Sequence, residues 1–248
     1  MNEIRYLKDK LIFEDASSEN EIFEAWTSSL GVDKCVEIYK NYFSIIQSKN
    51  TTFAELFKFY EYDVALSEIL FTLLRHEENF VKGFLCNVFN DYKVQIEERP
   101  SNYTKTKYYL KFPVGVNEYL DIRTFSYTEG PVDYYDALKT LDFGDVNLIM
   151  FHLPQNIISK FSSNPNILKE LDETRKLRNY VYHHNMLFSL GKDALKAAVI
   201  LVLKNLPNKK LKVSFINKIN ELSNKFCDLD KGVLIQINEK NQNAVFTY

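Results

Sequence analysis

Arg178 and His183 are the residues whose types and spacing best fit a chemical reaction. Four residues separate them, and Asn179 directly follows the arginine. At 100° per residue, one wedge of a helix surface would hold five polar or aromatic side chains. These are Arg175, Arg178, Asn179, Tyr182 and His183. Leu177 and Val181 would face the opposite side, where a core would lie. The pattern predicts a helix with one chemically active face.

Cleavage of RNA without a metal needs a group that moves a proton near neutral pH and a cation that stabilises the charged phosphorane. Histidine and arginine supply these two functions. The ribose 2′-OH is the nearest nucleophile, so a 2′,3′-cyclic phosphate is the expected product. We predict that Arg178, Asn179 and His183 are catalytic, with Asn179 orienting the imidazole or the phosphate, and that Arg175 and Tyr182 bind RNA. The spacing alone is common, and the alternative is that both residues are ordinary solvated helix residues.

Other reaction chemistries find little support in the sequence. It contains no glycine-rich phosphate loop and no nucleophile elbow. His76 and His152 stand alone, and the three cysteines are isolated, which argues against a zinc site or a disulfide framework. We therefore predict no metal and no cofactor.

The composition favours helices and limits how RNA could be bound. The 248 residues include only 7 glycines and 6 prolines, few for the frequent turns of an all-β fold. The 31 Lys and Arg against 33 Asp and Glu give a formal net charge of −2. A generic nucleic-acid coat protein is usually basic, so RNA binding would have to come from a local patch. The start lacks the apolar segment of a signal peptide, and no apolar run approaches the ~20 residues of a membrane span, so a cytoplasmic protein is expected.

Helical periodicity covers most of the chain. Apolar residues recur at steps of three and four from Phe53 to Val88, directly after Thr52, which predicts a long amphipathic helix. Asn164 and Pro165 open the helix that carries Arg178 and His183, which we expect to run to about Leu190 and to stop at Gly191. Further helices are predicted within residues 20–48 with a break near Gly31, 143–161 with a break at Pro154, 194–205 and 211–226.

The remaining segments suggest how the chain is organised. Residues 91–135 change to alternating polarity and read as an insertion with a small β-hairpin or two. We predict an N-terminal helical extension over residues 1–50, a helical domain over 51–230 with this insertion, and a tail over 231–248 that is a strand, an arm or disordered. Asp63 and Glu77 lie on or beside the apolar stripe of the long helix. They are candidates to pair with Arg178 or Arg175 and hold it, although such acids more often only satisfy a structural partner.

Several blocks resemble the Abi-like (AbiD/AbiF-type) HEPN ribonucleases of abortive infection. Arg178-Asn179 followed after three residues by His183-His184-Asn185 resembles their RNxxxHHxR block. The segment 52–66 resembles TFxxLxxLYxFDxxL, Glu77 or Glu78 with Lys82 resembles IExxxR, and 141–145 resembles a short mSFG step. The blocks occur in the right order over roughly 51–227. The sequence departs from the pattern at Ser67 and Met186, where arginine is usual, and at Tyr182, where alanine is usual.

The resemblance implies an all-α HEPN helical bundle that forms a homodimer with one composite site. It also implies a growth-arresting ribonuclease of phage defence or of a toxin–antitoxin pair, restrained by a noncoding RNA or a protein antitoxin. Two alternatives stay open. The first is a non-catalytic HEPN module that binds RNA or a partner protein, and the second is a scaffold with no nucleic-acid role.

Overall fold

Helices dominate the computed structural model, which describes residues 3–47, 50–99, 107–111, 120–122, 134–238 and 245. The α-helices are α1 (Glu3–Lys10), α2 (Ala16–Leu30), α3 (Val32–Ile46), α4 (Phe53–Asp91), α5 (Tyr134–Thr140), α6 (Phe143–His152), α7 (Gln155–Phe161), α8 (Ile167–Tyr182), α9 (Lys192–Asn205) and α10 (Lys209–Lys225), and a 3₁₀ helix covers Leu187–Leu190. The prediction of an all-α fold is confirmed.

The long helix α4 begins where the sequence predicts it, and its first turn is fixed by two reciprocal hydrogen bonds. The Glu55 N–H donates to Thr52 Oγ1 at 3.2 Å, and the Thr52 N–H donates to Glu55 Oε2 at 3.1 Å. This is a capping box, which satisfies backbone donors that a helix start leaves without partners. The start of α4 is therefore encoded locally.

Short breaks between helices also fall at the predicted residues. Gly31 separates α2 from α3 with φ +84°, a conformation that costs glycine little. Pro154 precedes α7, as predicted. The Asn208 side chain, which no sequence pattern singled out, caps α10 by accepting from the Lys210 and Leu211 N–H groups. α1, by contrast, was not predicted from the sequence.

Two small sheets complete the secondary structure. β1 (Leu11–Ile12) pairs in parallel with β2 (Thr51–Thr52). Within the insertion, β3 (Gln95–Arg99), β4 (Lys107–Lys111) and β5 (Leu120–Ile122) form an antiparallel sheet in the order β3-β4-β5. This confirms the predicted hairpins, while residues 100–106, 112–119 and 123–133 of the insertion lie outside the described residues.

The chain divides into two compact units whose boundaries fall inside α4, inside α8 and at the last residue of α9. The first unit comprises Met1–Leu73, Asn179–Lys204 and Asn208–Thr247. The second comprises Leu74–Arg178 and Asn205–Pro207. These boundaries differ from the predicted limits near residues 50 and 230, and the predicted domain limits stay a prediction.

The first unit is built around an aromatic core. The Phe53 ring lies against the rings of Phe13, Phe23, Trp26 and Phe57, with centroid distances of 5.6–5.8 Å. Rings at such distances add favourable edge and stacking contacts to the burial of their apolar area. This cluster ties α2 to the start of α4.

Part of the C-terminal tail packs into the first unit. The Ile235 N–H donates to the Tyr62 hydroxyl at 2.8 Å, and the Ser223 hydroxyl donates to the Ile235 carbonyl at 2.7 Å. Ile235 and Ile237 are buried. Residues 231–238 are thus ordered without forming a strand, which leaves the arm of the three alternatives, whereas residues 239–244 and 246–248 lie outside the described residues.

The second unit has a hydrophobic core of its own, which is mostly aliphatic. Its buried side chains come from the second part of α4, from α5–α7 and from the start of α8, and they include Val81, Leu85, Phe143, Ile149 and Leu171. The Asn147 amide donates to the Leu171 carbonyl at 3.0 Å and joins α6 to α8. Among the described helices, none combines the length and apolarity needed to cross a bilayer.

Candidate active site

The helix that carries the predicted site residues ends earlier than the sequence suggested. α8 ends at Tyr182, eight residues before the predicted end near Leu190. The Asn185 N–H donates to the Tyr180 carbonyl at 3.1 Å, and the His184 N–H donates to the Val181 carbonyl at 3.2 Å. This pair of bonds is a Schellman motif, with His184 in the left-handed conformation at φ +52°. The prediction that the helix runs to about Leu190 is wrong, because this turn ends it.

His183 lies at the point where the helix stops. Its N–H still donates to the Asn179 carbonyl at 3.0 Å, so the backbone is helical up to this residue. The His183 side chain is exposed. Its backbone is therefore fixed by hydrogen bonds while its imidazole is open to solvent, which is what a proton-transferring group requires.

Arg178 contacts a carboxylate in the second unit. Its Nε atom lies 3.8 Å from Glu78 Oε2, and Glu78 Oε1 lies 2.7 Å from Lys82 Nζ. The three side chains are 18%, 11% and 12% exposed, respectively. Lys82 Nζ also donates to the Leu141 carbonyl at 2.7 Å. The Glu78 carboxylate is thus held from one side by Lys82 and can orient the arginine from the other.

The acid that contacts Arg178 is Glu78, the sequence neighbour of the predicted Glu77. Glu77 is fully buried and accepts a hydrogen bond from the Thr174 hydroxyl at 3.4 Å, and burial raises the pKa of its carboxyl well above the usual value. Glu78, which the sequence placed in the same block but not at the site, is the carboxylate that meets Arg178. The spacing of Glu78 and Lys82, four residues apart on one helix, was the signal that could have identified it.

Asp63 satisfies a structural partner, which is one of the two alternatives that the sequence allows for this residue. Its Oδ1 atom accepts hydrogen bonds from the Leu187 N–H at 3.0 Å and the Phe188 N–H at 3.4 Å, both at the start of the 3₁₀ helix. Burial raises the pKa of the Asp63 carboxyl to about 7. Asp63 therefore holds the segment that follows α8, and the expected pairing with an arginine is replaced by this backbone contact.

The two residues predicted to bind RNA have partners within their own units. Arg175 forms an ion pair with Asp172, with Nε and Nη2 each 2.9 Å from Oδ1. The Tyr182 ring stacks on the Phe71 ring at a centroid distance of 4.6 Å and an interplanar angle of 26°. Phe71 is 40% exposed, so this stacked pair reaches the surface.

The described geometry places the predicted residues in two groups. Asn179, Tyr182 and His183 belong to the first unit, whereas Arg175 and Arg178 belong to the second. The wedge that combines Arg178 with His183 stays a prediction from the helix period. In the described ranges, no group of three His, Cys, Asp or Glu side chains is arranged to hold a metal ion.

A cleft that the sequence did not reveal lies in the first unit, next to the end of α8. It has a volume of about 710 Å³ and is lined by residues of α2, of α3, of α4, and of the end of α8 with the turn that follows it. Its lining includes Asp63, His184 and Asn185. Ser67 and Met186, two positions where the sequence departs from the resembling blocks, line it as well.

Comparison with known proteins identifies one family. The model of the family described as Abi-like protein matches residues 34–189, which is more than half of the chain and includes every predicted site residue. No curated protein and no solved structure matches the chain.

Proposed function

The chain belongs to the Abi-like family, and from this we propose that it is a metal-independent endoribonuclease of abortive-infection defence. The family points to the defence role, and the residues of α8 support the reaction. The observation that carries the proposal is the placement of His183, an exposed imidazole on a backbone fixed by the Asn179 hydrogen bond and the Schellman turn.

The proposed reaction uses the chain's own side chains. One histidine removes the proton of a ribose 2′-OH, and the 2′ oxygen attacks the adjacent phosphorus. The bond from phosphorus to the 5′ oxygen breaks, and that oxygen takes a proton to leave as a 5′-hydroxyl, while a 2′,3′-cyclic phosphate remains. Arg178 stabilises the phosphorane charge, and Glu78 and Lys82 position it. Asn179 orients the imidazole or the phosphate.

The proposal includes the partners that the resemblance implies. Two copies of the chain would supply the two acid–base groups that this reaction uses, one for the 2′-OH and one for the leaving oxygen. An uncontrolled ribonuclease would arrest its own host, so a noncoding RNA or a protein antitoxin is expected to restrain it. Arg175 and Tyr182 would contact the RNA strand on either side of the cut.

One observation favours the alternative of a non-catalytic module. Arg178 is only 18% exposed and meets the Glu78 carboxylate, an arrangement that a purely structural arginine also adopts. A binding module would use the same surface without changing the RNA. The distinction lies in whether His183 is needed for cleavage.

The deciding variant is His183→Ala. We expect it to reduce RNA cleavage roughly 10²–10⁴-fold, as loss of a general acid–base group does, and to abolish growth arrest in cells. Thermal unfolding should change little, because the His183 side chain is exposed. His152→Ala is the matched control, since His152 is also exposed and lies outside the candidate site. A His183→Ala protein that cleaves RNA like the wild type would rule out the proposed reaction.

A second measurement tests the chemistry itself. Cleavage should persist in excess EDTA, and a substrate with a single 2′-deoxy nucleotide at the cut position should resist it, because the nucleophile is missing. The product of the all-ribose substrate should end in a 2′,3′-cyclic phosphate. Normal cleavage of the 2′-deoxy substrate, or inhibition by EDTA, would contradict the roles given to Arg178 and His183.

A further inference from the structure

The walls of the cleft beside the end of α8 are mostly aromatic and aliphatic. Tyr60 and Phe71 contribute aromatic rings, and Leu30, Val64 and Val181 contribute aliphatic surface. Its volume of about 710 Å³ lies within the ~300–1,000 Å³ that is typical of sites for small organic groups. Its size and apolar walls suit a flat ring system better than a metal ion or an extended peptide.

Both aromatic walls are held in place by other rings. The Trp26 ring lies 5.9 Å from the Tyr60 ring, and the Tyr182 ring stacks on Phe71 at 4.6 Å. A ring that is already oriented loses little conformational freedom when a ligand stacks on it. Stacking on aromatic side chains is also the usual way in which proteins bind unpaired bases.

Asp63 gives the cleft a buried hydrogen-bond acceptor. The Asp63 side chain is 3% exposed, and only its Oδ1 atom accepts hydrogen bonds from described residues. Oδ2 is therefore the atom that can receive a donor from a ligand in the cleft. Burial raises the pKa of this carboxyl to about 7, which means that the folded protein supplies too few donors to offset its loss of hydration. A ligand N–H would supply one.

Polar groups at the turn after α8 complete the site. Asn185 provides both a donor and an acceptor, and Lys34 and His184 can carry positive charge. Lys34 Nζ lies 3.0 Å from Glu37 Oε2, and the Lys34 side chain is 28% exposed, so its ammonium group is accessible to solvent. Cations there suit the phosphate that is attached to a base.

We infer that this cleft binds one unpaired nucleobase of the RNA substrate, with its ring against Phe71 and a ring N–H donated to Asp63 Oδ2. Guanine and uracil present such a ring N–H, whereas adenine and cytosine do not. The inference rests on the proposed function, because it assigns the cleft to the RNA that His183 cuts. Position supports it, since His184 and Asn185 line the cleft and directly follow His183.

The test measures binding of short RNAs to the full chain carrying His183→Ala, which prevents turnover. Trp26 is the single tryptophan and lies against Tyr60, so its fluorescence reports occupation of the cleft. At pH 8, where the Asp63 carboxyl is ionised and Oδ2 accepts hydrogen bonds, we expect an oligonucleotide with one guanine or uracil among cytosines to bind more tightly than oligocytidine. Phe71→Ala should weaken binding about tenfold or more, as loss of a stacked ring does.

Phe43→Ala is the matched control for Phe71→Ala. Phe43 is also 40% exposed and stacked on a tyrosine, Tyr39, but it does not line the cleft. It should leave RNA affinity unchanged. Equal affinities for the Phe71→Ala and Phe43→Ala proteins would overturn the inference, and so would a Phe71→Ala protein whose oligomeric state changes while its RNA affinity does not.

Asp63→Asn tests the hydrogen-bond edge. The asparagine oxygen can still accept the Leu187 and Phe188 N–H groups, while its amide now offers a donor to the cleft. We expect the preference to move from guanine and uracil to adenine and cytosine. An unchanged preference in a folded protein would contradict the assignment of Asp63.

Further outcomes separate this inference from the proposed function. If the wild-type chain cuts RNA but Phe71→Ala changes neither the KM nor the affinity, the cleft assignment fails and the nuclease proposal stands. If no RNA is cut but Phe71→Ala still weakens RNA binding, the nuclease proposal fails and the base site stands. If guanosine or uridine monophosphate binds in a Phe71-dependent way but the oligonucleotides do not, the occupant is a free nucleotide and the RNA assignment is wrong.

Discussion

The Asp63 carboxyl group both accepts backbone hydrogen bonds and titrates in a buried position. Through Oδ1 it holds the first turn of the 3₁₀ helix, and through its burial it keeps a titratable group inside the first unit. Burial is the main cause that raises the pKa of the Asp63 carboxyl to about 7, against 3.8 for an ordinary aspartate. The charge of Lys34 lowers the Asp63 pKa and the charge of Glu37 raises it, but both effects are smaller. The folded state therefore binds a proton that the unfolded chain releases at lower pH.

This raised pKa predicts how stability depends on pH. Between pH 3.8 and about 7 the folded state holds more protons than the unfolded state at Asp63, so this group lowers the free energy of unfolding as pH rises. The loss is complete above the folded pKa. From pH 5 to pH 8 the titration of Asp63 should lower the free energy of unfolding by on the order of 2 kcal/mol.

Asp63→Asn isolates that contribution, because all other titrating groups, including Glu77, remain in both proteins. We expect the stability of the wild type relative to the variant to fall as pH rises from 5 to 8 in urea unfolding. A difference that stays constant, or that grows with pH, would show that the carboxyl is not protonated in the folded state.

At the same scale, sequence patterns identify the candidate residues Arg178 and His183 more directly than the side chains that contact them. Arg178 and His183 stand out because their residue types and spacing suggest a reaction. Whether Glu77 or Glu78 contacts Arg178 depends on which face of α4 packs against α8. α4 is a continuous helix of 39 residues, so tertiary packing and not a local sequence signal decides which face that is. The structure selects Glu78, with its i,i+4 partner Lys82, while Glu77 is buried against Thr174.

Among the elements, those whose ends are encoded locally were predicted and those ended by distant contacts were not. Thr52 with Glu55 fixes the start of α4, and Gly31 and Pro154 separate helices by their own backbone preferences. The end of α8 was missed because Leu187, Phe188 and Leu190 continue an apolar pattern. Their segment is a 3₁₀ helix held by Asp63, which lies 124 residues earlier in the sequence.

The turn that ends α8 uses a residue that is unfavourable there. His184 adopts φ +52°, and a left-handed conformation costs an L residue about 1–2 kcal/mol. Glycine avoids this cost but loses about 0.5–1 kcal/mol through the greater freedom of the unfolded chain. We expect His184→Gly to raise the free energy of unfolding by about 0.5 kcal/mol, and His184→Val to lower it, measured by denaturant titration.

His76→Gly provides the matched control for that element. His76 is an exposed histidine within α4, where the backbone is helical. Glycine there should lower the free energy of unfolding by about 1 kcal/mol. The same substitution is thus expected to have opposite signs at the two positions. Destabilisation at both would mean that the His184 side chain contributes contacts that outweigh its backbone cost.

Over the whole molecule, charge gives little guidance to the site. A net charge of −2 does not attract RNA as a strongly basic surface would, so the proposed RNA binding would depend on a few local groups. The polar and aromatic side chains of the cleft and the exposed His183 offer such groups. No sequence pattern indicates the cleft, because its walls come from four separate elements that only the fold brings together.

The number of histidines that the proposed reaction uses predicts the oligomeric state of the protein. The proposed reaction uses a base and an acid, and each chain offers one His183, so a twofold dimer would supply both. We predict a homodimer at micromolar concentration, measured by light scattering, and a loss of activity that follows the fraction of complete dimers. When equal amounts of wild type and His183→Ala exchange subunits, about a quarter of the dimers keep two histidines.

Cleavage by that mixture should therefore fall to about a quarter of the activity of an all-wild-type sample at the same total concentration. Independent monomers would instead keep about half, since each wild-type chain would work alone. A mixture of wild type with His152→Ala should retain full activity, which controls for losses during subunit exchange. A strictly monomeric protein that cuts RNA, or an activity that falls in simple proportion to the wild-type fraction, would exclude a site shared between two copies of His183.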